Sequence, residues 1–268
     1  MNNEYVDKYL TLELRKCQLK QLDILSCLDN ICKKYNISYW LDSGTLLGAI
    51  RHKGFIPWDD DVDVCMLPND FRKFKEVADL ELPETLFLQT KDSDPAMLQG
   101  FAKIRDKNSF FVEFGDDFSR SYNKGIFIDI FEMKEYPKLP KKLMSFLVKR
   151  ISKSNSVLRS KKYITFHTLI ETPYFFLTLC LLFPVWKFLS LWLSKYYISY
   201  GLYDNVGGWF FLEEDIFPLL QVEFEGRKFF APHNWDNYLR ILYGKYMDLP
   251  PEDHRVFHAV YIHTTLNK

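Results

Sequence analysis

Between Trp58 and Leu67 the chain reads Trp-Asp-Asp-Asp-Val-Asp-Val-Cys-Met-Leu. A run of carboxylates that continues directly into an apolar, β-branched stretch has few ways to fold. As a strand, Val62 to Leu67 sends alternate side chains to opposite faces, and Asp61 and Asp63 then project from one face about 6.6 Å apart along the chain. Burying an unpaired charge is costly, so carboxylates that enter a strand in this way call for a cation. Hard oxygen ligands with no His or Cys beside them favour Mg²⁺, with Mn²⁺ as the other choice; such an ion keeps water and takes substrate phosphate oxygens as its remaining ligands. Asp59 lies one alternation further upstream.

Two other readings of the same residues fare worse. Asp59, Asp61 and Asp63 occupy the first three ligand positions of an EF-hand loop, with Asp70 twelfth, but Val64 stands where that loop needs glycine for its sharp turn. A merely solvated acidic turn does not explain why the acids run on into an apolar strand.

Further candidates surround this segment. In Gly-Ile-Phe-Ile-Asp-Ile-Phe, residues 125–131, Asp129 is the one polar side chain of an apolar strand pattern, which makes it a third metal carboxylate and a candidate acceptor of a substrate hydroxyl proton. Ser43, Gly44 and Thr45 form a turn into a short helix expected over 46–51, where free N–H groups and the dipole can hold a phosphate. Arg51, His52 and Lys53, and Lys103 with Arg105 on a later strand, are candidate cations for donor phosphates. His254 and His258 stand at helical spacing, but two imidazoles without further ligands make a poor metal site.

The chain has 268 residues, enough for one large domain or one with an insertion. The spacing predicts helices over 4–35, 70–79 and 234–243, strands over 38–41, 62–67, 86–89, 101–105, 110–113 and 126–131, and a hairpin around Gly226. The expected division is a mixed α/β catalytic domain from residues 1–136 and 216–268, interrupted by a helical insertion over 137–215. From Pro137 to Ile170 that insertion carries nine Lys or Arg and no acid. Pro173 to Trp186 is uncharged, and with Pro184 and Lys187 close by it reads as a core helix, or second as an interfacial one, and not as a span.

A formal charge of zero argues against nucleic-acid binding. Five cysteines without CxxC spacing read as reduced thiols, and the acid-containing N-terminus does not read as a secretory signal, so a cytoplasmic protein is expected, peripheral on the inner membrane face through its basic stretch.

Gly-Thr-Leu-Leu-Gly-Ala-Ile-Arg-His-Lys-Gly-Phe-Ile-Pro-Trp-Asp-Asp-Asp-Val-Asp-Val, residues 44–64, closely resembles the signature of the LicD family and is similar to the catalytic part of fukutin-related proteins. Residues 125–131 and 238–253 resemble other blocks of that family; the likeness leaves out about 140–215. The resemblance implies a DNA polymerase β-like nucleotidyltransferase fold of α/β (α+β) class, Mg²⁺ held by Asp61, Asp63 and Asp129 with Asp59 nearby, and transfer of phosphocholine or a related phospho-alcohol. The implied donor is CDP-linked, CDP-choline first. The implied acceptor is a lipid-linked or growing glycan such as a teichoic acid or lipopolysaccharide precursor. Attachment of the nucleotide itself, or non-catalytic glycan binding, are the rival functions. The aromatic content, 17%, offers cradles for a quaternary ammonium, Trp40 and Trp58 among them.

Overall fold

The computed structural model describes residues 4–97, 99–113, 116, 118–160, 166–202, 205, 207–255 and 257–266. A long helix α1 (Glu4–Tyr35) leads into β1 (Trp40–Leu41), α2 (Ser43–His52), β2 (Asp63–Met66), α3 (Pro68–Glu81), β3 (Leu86–Gln89), β4 (Ala102–Asp106), β5 (Phe110–Glu113), β6 (Phe127–Glu132) and β7 (Lys134–Pro137). Two helices follow, α4 (Lys141–Ser160) and α5 (Phe166–Trp192). The chain then runs through β8 (Lys195–Ser199), β9 (Phe211–Leu212), α6 (Glu213–Ile216), β10 (Leu220–Phe224), β11 (Arg227–Ala231), α7 (Trp235–Tyr243) and β12 (Ala259–His263).

The main sheet has five strands in the order β1-β2-β6-β4-β3. Only β2 and β6 are parallel; the other pairs are antiparallel, so the sheet is mixed. Its central strands β2 and β4 are buried along their whole length, the condition under which a near-continuous apolar run is favoured. Gly125 admits the chain into β6: a Cβ there would stand 1.7 Å from the carbonyl oxygen of Asp106, so only glycine fits.

The helices follow their apolar stripes. α1 buries Cys17, Leu25, Leu28 and Cys32 in the main core. α3 starts with Pro68 at a position whose N–H needs no partner. α7 is capped by Asn234, whose side chain accepts from Asn237 N, and ends at Gly244 with φ of 66°. The hairpin β10–β11 turns through Glu225 and Gly226, both left-handed at φ 51° and 71°.

Three expectations need correction. β5 does not join the main sheet but pairs with β12 in a separate two-stranded ribbon. His254 and His258 do not share a helix: His254 ends a short 3-10 turn and His258 immediately precedes β12. The third concerns Pro173 to Trp186. Pro173 and Pro184 lie inside α5 without ending it, and α5 is not a core helix: Phe176, Leu177, Leu181, Phe188, Leu191 and Trp192 are all exposed. By length and composition Thr172–Trp192 could cross a membrane.

The segment 137–215 divides in two. α4 and α5 share a small core of their own, with Met144, Val148, Ile151 and Trp186, whereas Tyr200 and Phe211 pack into the main core. Of the basic residues there, Lys161 and Lys162 lie outside the described residues.

Candidate active site

One row of side chains across the middle of the sheet organises the site. Asp63 on β2 is the register partner of Asp129 on β6, and Asp129 in turn faces Lys103 on β4. Register partners share a face, so two carboxylates and an ammonium are set side by side by strand pairing alone. Lys103 Nζ lies 2.7 Å from an Asp129 carboxylate oxygen and 3.4 Å from the Phe127 ring centroid, and both Lys103 and Asp129 are buried.

The acidic loop before β2 is held from behind. On α1, Gln18 Nε2 donates to the Asp59 carbonyl oxygen at 2.9 Å, and Gln21 Nε2 donates to that of Asp60 at 2.7 Å. Within the loop, neighbouring acids do two jobs. Asp60 is fully buried and accepts from His258 N at 2.8 Å and Ala259 N at 2.6 Å, with His258 Nδ1 3.0 Å from its other oxygen; it ties β12 to the loop. Asp59 and Asp61 join Asp63 and Asp129 in one electrostatic cluster.

That cluster is charged against its surroundings. Burial pushes the Asp63 carboxyl well above the usual carboxylate range, with Asp61 and Asp129 adding like-charge repulsion. Burial, then Asp61, raises Asp59 to about 8. Burial raises Asp129 to about 6, with the Lys103 ammonium opposing it. The Asp61 carboxyl is raised by burial and by Asp60. Carboxylates gathered in a desolvated cleft are stable as anions only with added positive charge, so the donor set suits a hard divalent cation bound by Asp61, Asp63 and Asp129, with Asp59 beside it. Asp60, Asp61 and His258 also bring one ligand atom each within 4.8 Å of one another. The hydrogen bond to Asp60 raises His258 to about 9, so with no metal bound its imidazole is a cation facing the acids at neutral pH.

The start of α2 differs from its expected form. The helix begins at Ser43, not at Leu46, so Ser43, Gly44 and Thr45 are its first turn. Thr45 Oγ1 accepts from Asp63 N at 2.8 Å and fixes the start of β2. A Cβ on Gly44 would stand 2.6 Å from an Asp59 carboxylate oxygen; glycine is what lets this acid approach the positive end of the helix. The N-cap residue Asp42 is fully buried and accepts from Tyr238 OH and Tyr200 OH, each at 2.6 Å, and from Ser43 Oγ at 3.1 Å.

Beside these residues lies a cavity of about 350 Å³ lined by Gly44, Arg51, Trp58, Asp59, Tyr243 and His258, among others. Arg51 reaches it while donating to the carbonyl oxygen of Tyr246 at 2.8 Å. His52 packs edge-on to Trp58. Two expected phosphate cations fall elsewhere. Arg105 is buried, donates to Gln89 Oε1 at 2.6 Å and to the Gly125 carbonyl oxygen at 2.7 Å, and packs over Phe127; it is a strut of the sheet. Lys53 caps the far end of α2, exposed and outside the cavity lining. The positive charge facing the acids comes from two of the expected cations, Lys103 and Arg51, and from His258.

Residues 36–170 match the family model described as LicD/FKTN/FKRP, nucleotidyltransferase domain. The lipopolysaccharide cholinephosphotransferase LicD of Haemophilus influenzae is 34% identical over 266 residues, covering 93% of this chain and 97% of that protein. The chain belongs to the LicD family. Similarity to the ribitol 5-phosphate transferase FKRP of human and mouse is confined to 45 residues, 42% identical, 17% of this chain and 9% of FKRP. The matched LicD domain contains β2, β4 and β6, hence the whole Asp63–Asp129–Lys103 row, whereas Tyr200, Tyr238 and His258 stand beyond residue 170.

Asp42, Asp60, Tyr200, Tyr238, Tyr243 and His258 escaped the sequence reading. Asp42 had a signal, an acid between a strand and the Ser-Gly-Thr turn where an N-cap belongs. The tyrosines had none: Tyr200 and Tyr238 reach Asp42 from 158 and 196 residues away.

Proposed function

We propose that this protein transfers phosphocholine, or a related phospho-alcohol, from a CDP-linked donor to a sugar hydroxyl of a cell-surface glycan precursor, lipopolysaccharide first and teichoic acid second. The observation that carries the reading is the Asp63–Asp129–Lys103 row with Asp61 beside it. The printed activity of the Haemophilus influenzae relative supplies the transferred group and the acceptor class. The core arrangement is read as that of a DNA polymerase β-like nucleotidyltransferase, and the protein as acting in the cytoplasm.

Asp61, Asp63 and Asp129, with Asp59, would hold Mg²⁺, with Mn²⁺ as a substitute; when bound, such an ion polarises the phosphoryl oxygens and offsets the charge of the leaving nucleotide. The remaining work belongs to the chain. Arg51 and His258, lining the cavity, orient the donor diphosphate. Asp129 takes the proton of the attacking hydroxyl. The sugar oxygen bonds to the phosphorus bearing choline, the bond from that phosphorus to the bridging oxygen breaks, and CMP departs.

The test is a reaction of the purified protein with CDP-choline, CDP-ribitol and CDP-glycerol on choline-free lipopolysaccharide, read by mass spectrometry. Acceptor gaining phosphocholine with release of CMP is the expected result. Acceptor gaining the nucleotide would favour nucleotidyl transfer, and no transfer from any of the three donors would overturn the reading.

Metal binding has its own readout. With Asp59 raised to about 8 and Asp129 to about 6, both above their unfolded values, the metal-free protein loses stability as pH rises from about 4 to about 8, because these acids ionise less readily folded than unfolded. Added Mg²⁺ reverses that loss and competes with protons. Mg²⁺ is therefore expected to raise Tm by several degrees at pH about 8.5 and very little at pH about 5.5, as followed by differential scanning fluorimetry.

A further inference from the structure

The long helix α5 has an apolar surface that the described residues leave uncovered. Its inner side packs on α4, where Trp186 joins Met144, Val148 and Ile151. Its outer side presents Phe176, Leu177, Leu181, Phe188 and Leu191, all exposed. An uncovered apolar surface of this length on a soluble protein marks a contact with something else.

Three observations select the partner. First, charge: α4 carries exposed Lys141, Lys142, Lys149, Arg150 and Lys153 beside α5, and no acid occurs from Pro137 to Ile170. Arg150 reaches the exposed Tyr174 hydroxyl on α5 at 3.1 Å, so positive charge borders the apolar surface directly. Second, composition: Tyr174 stands near one end of the apolar stretch, with Trp192 and Tyr196 at the other, all exposed. Aromatic side chains with a polar edge favour the headgroup level of a bilayer. Third, the attachment: β7 and β8, which bracket the two helices, pair antiparallel with Pro137 opposite Lys195, so the hairpin is joined to the catalytic core at one end only.

The same packing decides how the helix meets the bilayer. Alone, Thr172–Trp192 is long enough to span. But α4 lies alongside it, and a perpendicular α5 would carry Lys149, Arg150 and Lys153 into hydrocarbon, where each charge is strongly disfavoured. Lying flat satisfies both helices: the outer side of α5 sinks to the acyl boundary while α4 keeps its cations among the phosphates. Lys187, the one charge between Thr172 and Trp192, can extend its ammonium to the same layer.

We propose that the α4–α5 hairpin docks this protein flat on an anionic phospholipid bilayer, with the outer face of α5 in the interface and α4 contacting headgroup phosphates. The base of the hairpin leads straight to the catalytic cleft: Tyr136 OH on β7 donates to the Tyr200 carbonyl oxygen at 2.6 Å, and Tyr200 OH donates to Asp42. Docking would thus hold the cleft at a fixed distance from the membrane, where lipid-linked acceptors reside. The proposal does not depend on which group the enzyme transfers.

Cosedimentation of the full chain with vesicles tests it, comparing phosphatidylglycerol–phosphatidylcholine mixtures with pure phosphatidylcholine at low and high salt. Binding to the anionic vesicles that weakens with salt is expected. Leu177→Glu/Leu181→Glu/Phe188→Glu should reduce that binding about tenfold or more, and Lys142→Glu/Lys153→Glu should reduce it on anionic vesicles only. These positions are exposed, so circular dichroism and Tm should match the unaltered protein. Three results would overturn the proposal: binding indifferent to lipid charge and to the glutamates, a vesicle-bound protein that resists alkaline carbonate as a spanning helix would, or a stable dimer in light scattering that the α5 glutamates dissociate.

Discussion

Asp63→Asn is expected to lower the turnover of phosphocholine transfer by about 10³-fold or more while leaving the protein folded and, without metal, no less stable than before. The two halves of this expectation come from one fact. Asp63 sits in the sheet interior with Asp129 as its register partner and Asp61 close by, and burial with that repulsion raises its carboxyl well above the usual range. In the absence of a cation such a group opposes folding above pH about 4, and an amide of the same shape relieves it. On the proposed Mg²⁺ site, the same replacement removes a ligand. The Mg²⁺-dependent rise in Tm should therefore shrink together with activity. A variant that kept its Mg²⁺-dependent rise in Tm and its turnover would remove Asp63 from the site; a variant that unfolded would show that the carboxylate has a structural partner instead.

The row that makes this prediction possible was only half legible in the sequence. Asp61, Asp63 and Asp129 could be found because charge inside an apolar strand pattern is anomalous at the level of a few residues; β2 and β6 could be found from their apolar residues, and β4 from the alternation of Ala102 and Ile104 with Lys103 and Arg105. Pairing could not be read. Nothing local says that Lys103 is the register partner of Asp129, since that depends on β4 lying beside β6. Read locally, Lys103 and Arg105 are two cations on one strand face and look equivalent. In the fold, Lys103 meets a carboxylate, whereas Arg105, two residues on, meets the Gln89 side chain and the Gly125 carbonyl oxygen.

The helix α5 was misjudged for a related reason. An apolar run interrupted by two prolines and followed by a lysine is too short for a span when counted from Pro173 to Trp186, and short apolar runs are usually core. The structure carries the helix through both prolines, and among the described residues no other element covers its outer side. Whether an apolar face is covered is a property of the neighbouring elements, not of the run itself. The acidic loop is a second such case. Asp60 lies between two site carboxylates in sequence yet serves β12, and nothing local distinguishes it from Asp59 and Asp61.

Lys103→Met should destabilise the protein by about 3–5 kcal/mol, on the order of 10 °C in Tm, which is the usual consequence of removing one partner from a buried ion pair. The ammonium is enclosed by the Asp129 carboxylate at 2.7 Å, Glu113 at 3.9 Å and the rings of Phe127 and Phe101. Methionine fills most of the same volume, so the loss comes from the stranded charge and not from a void. Asp129 would then ionise less readily still, with Asp61 and Glu113 as its charged neighbours. The double variant Lys103→Met/Asp129→Asn removes that stranded charge and is expected to recover most of the stability, a coupling of about 2–3 kcal/mol in a double-mutant cycle by chemical denaturation. Activity should not return with it, because Asp129 is lost. If Lys103→Met instead left Tm unchanged and raised only the KM for the CDP-linked donor, Lys103 would be holding donor phosphate, as its sequence context first suggested, and its pairing with Asp129 would not be what stabilises the centre of the sheet.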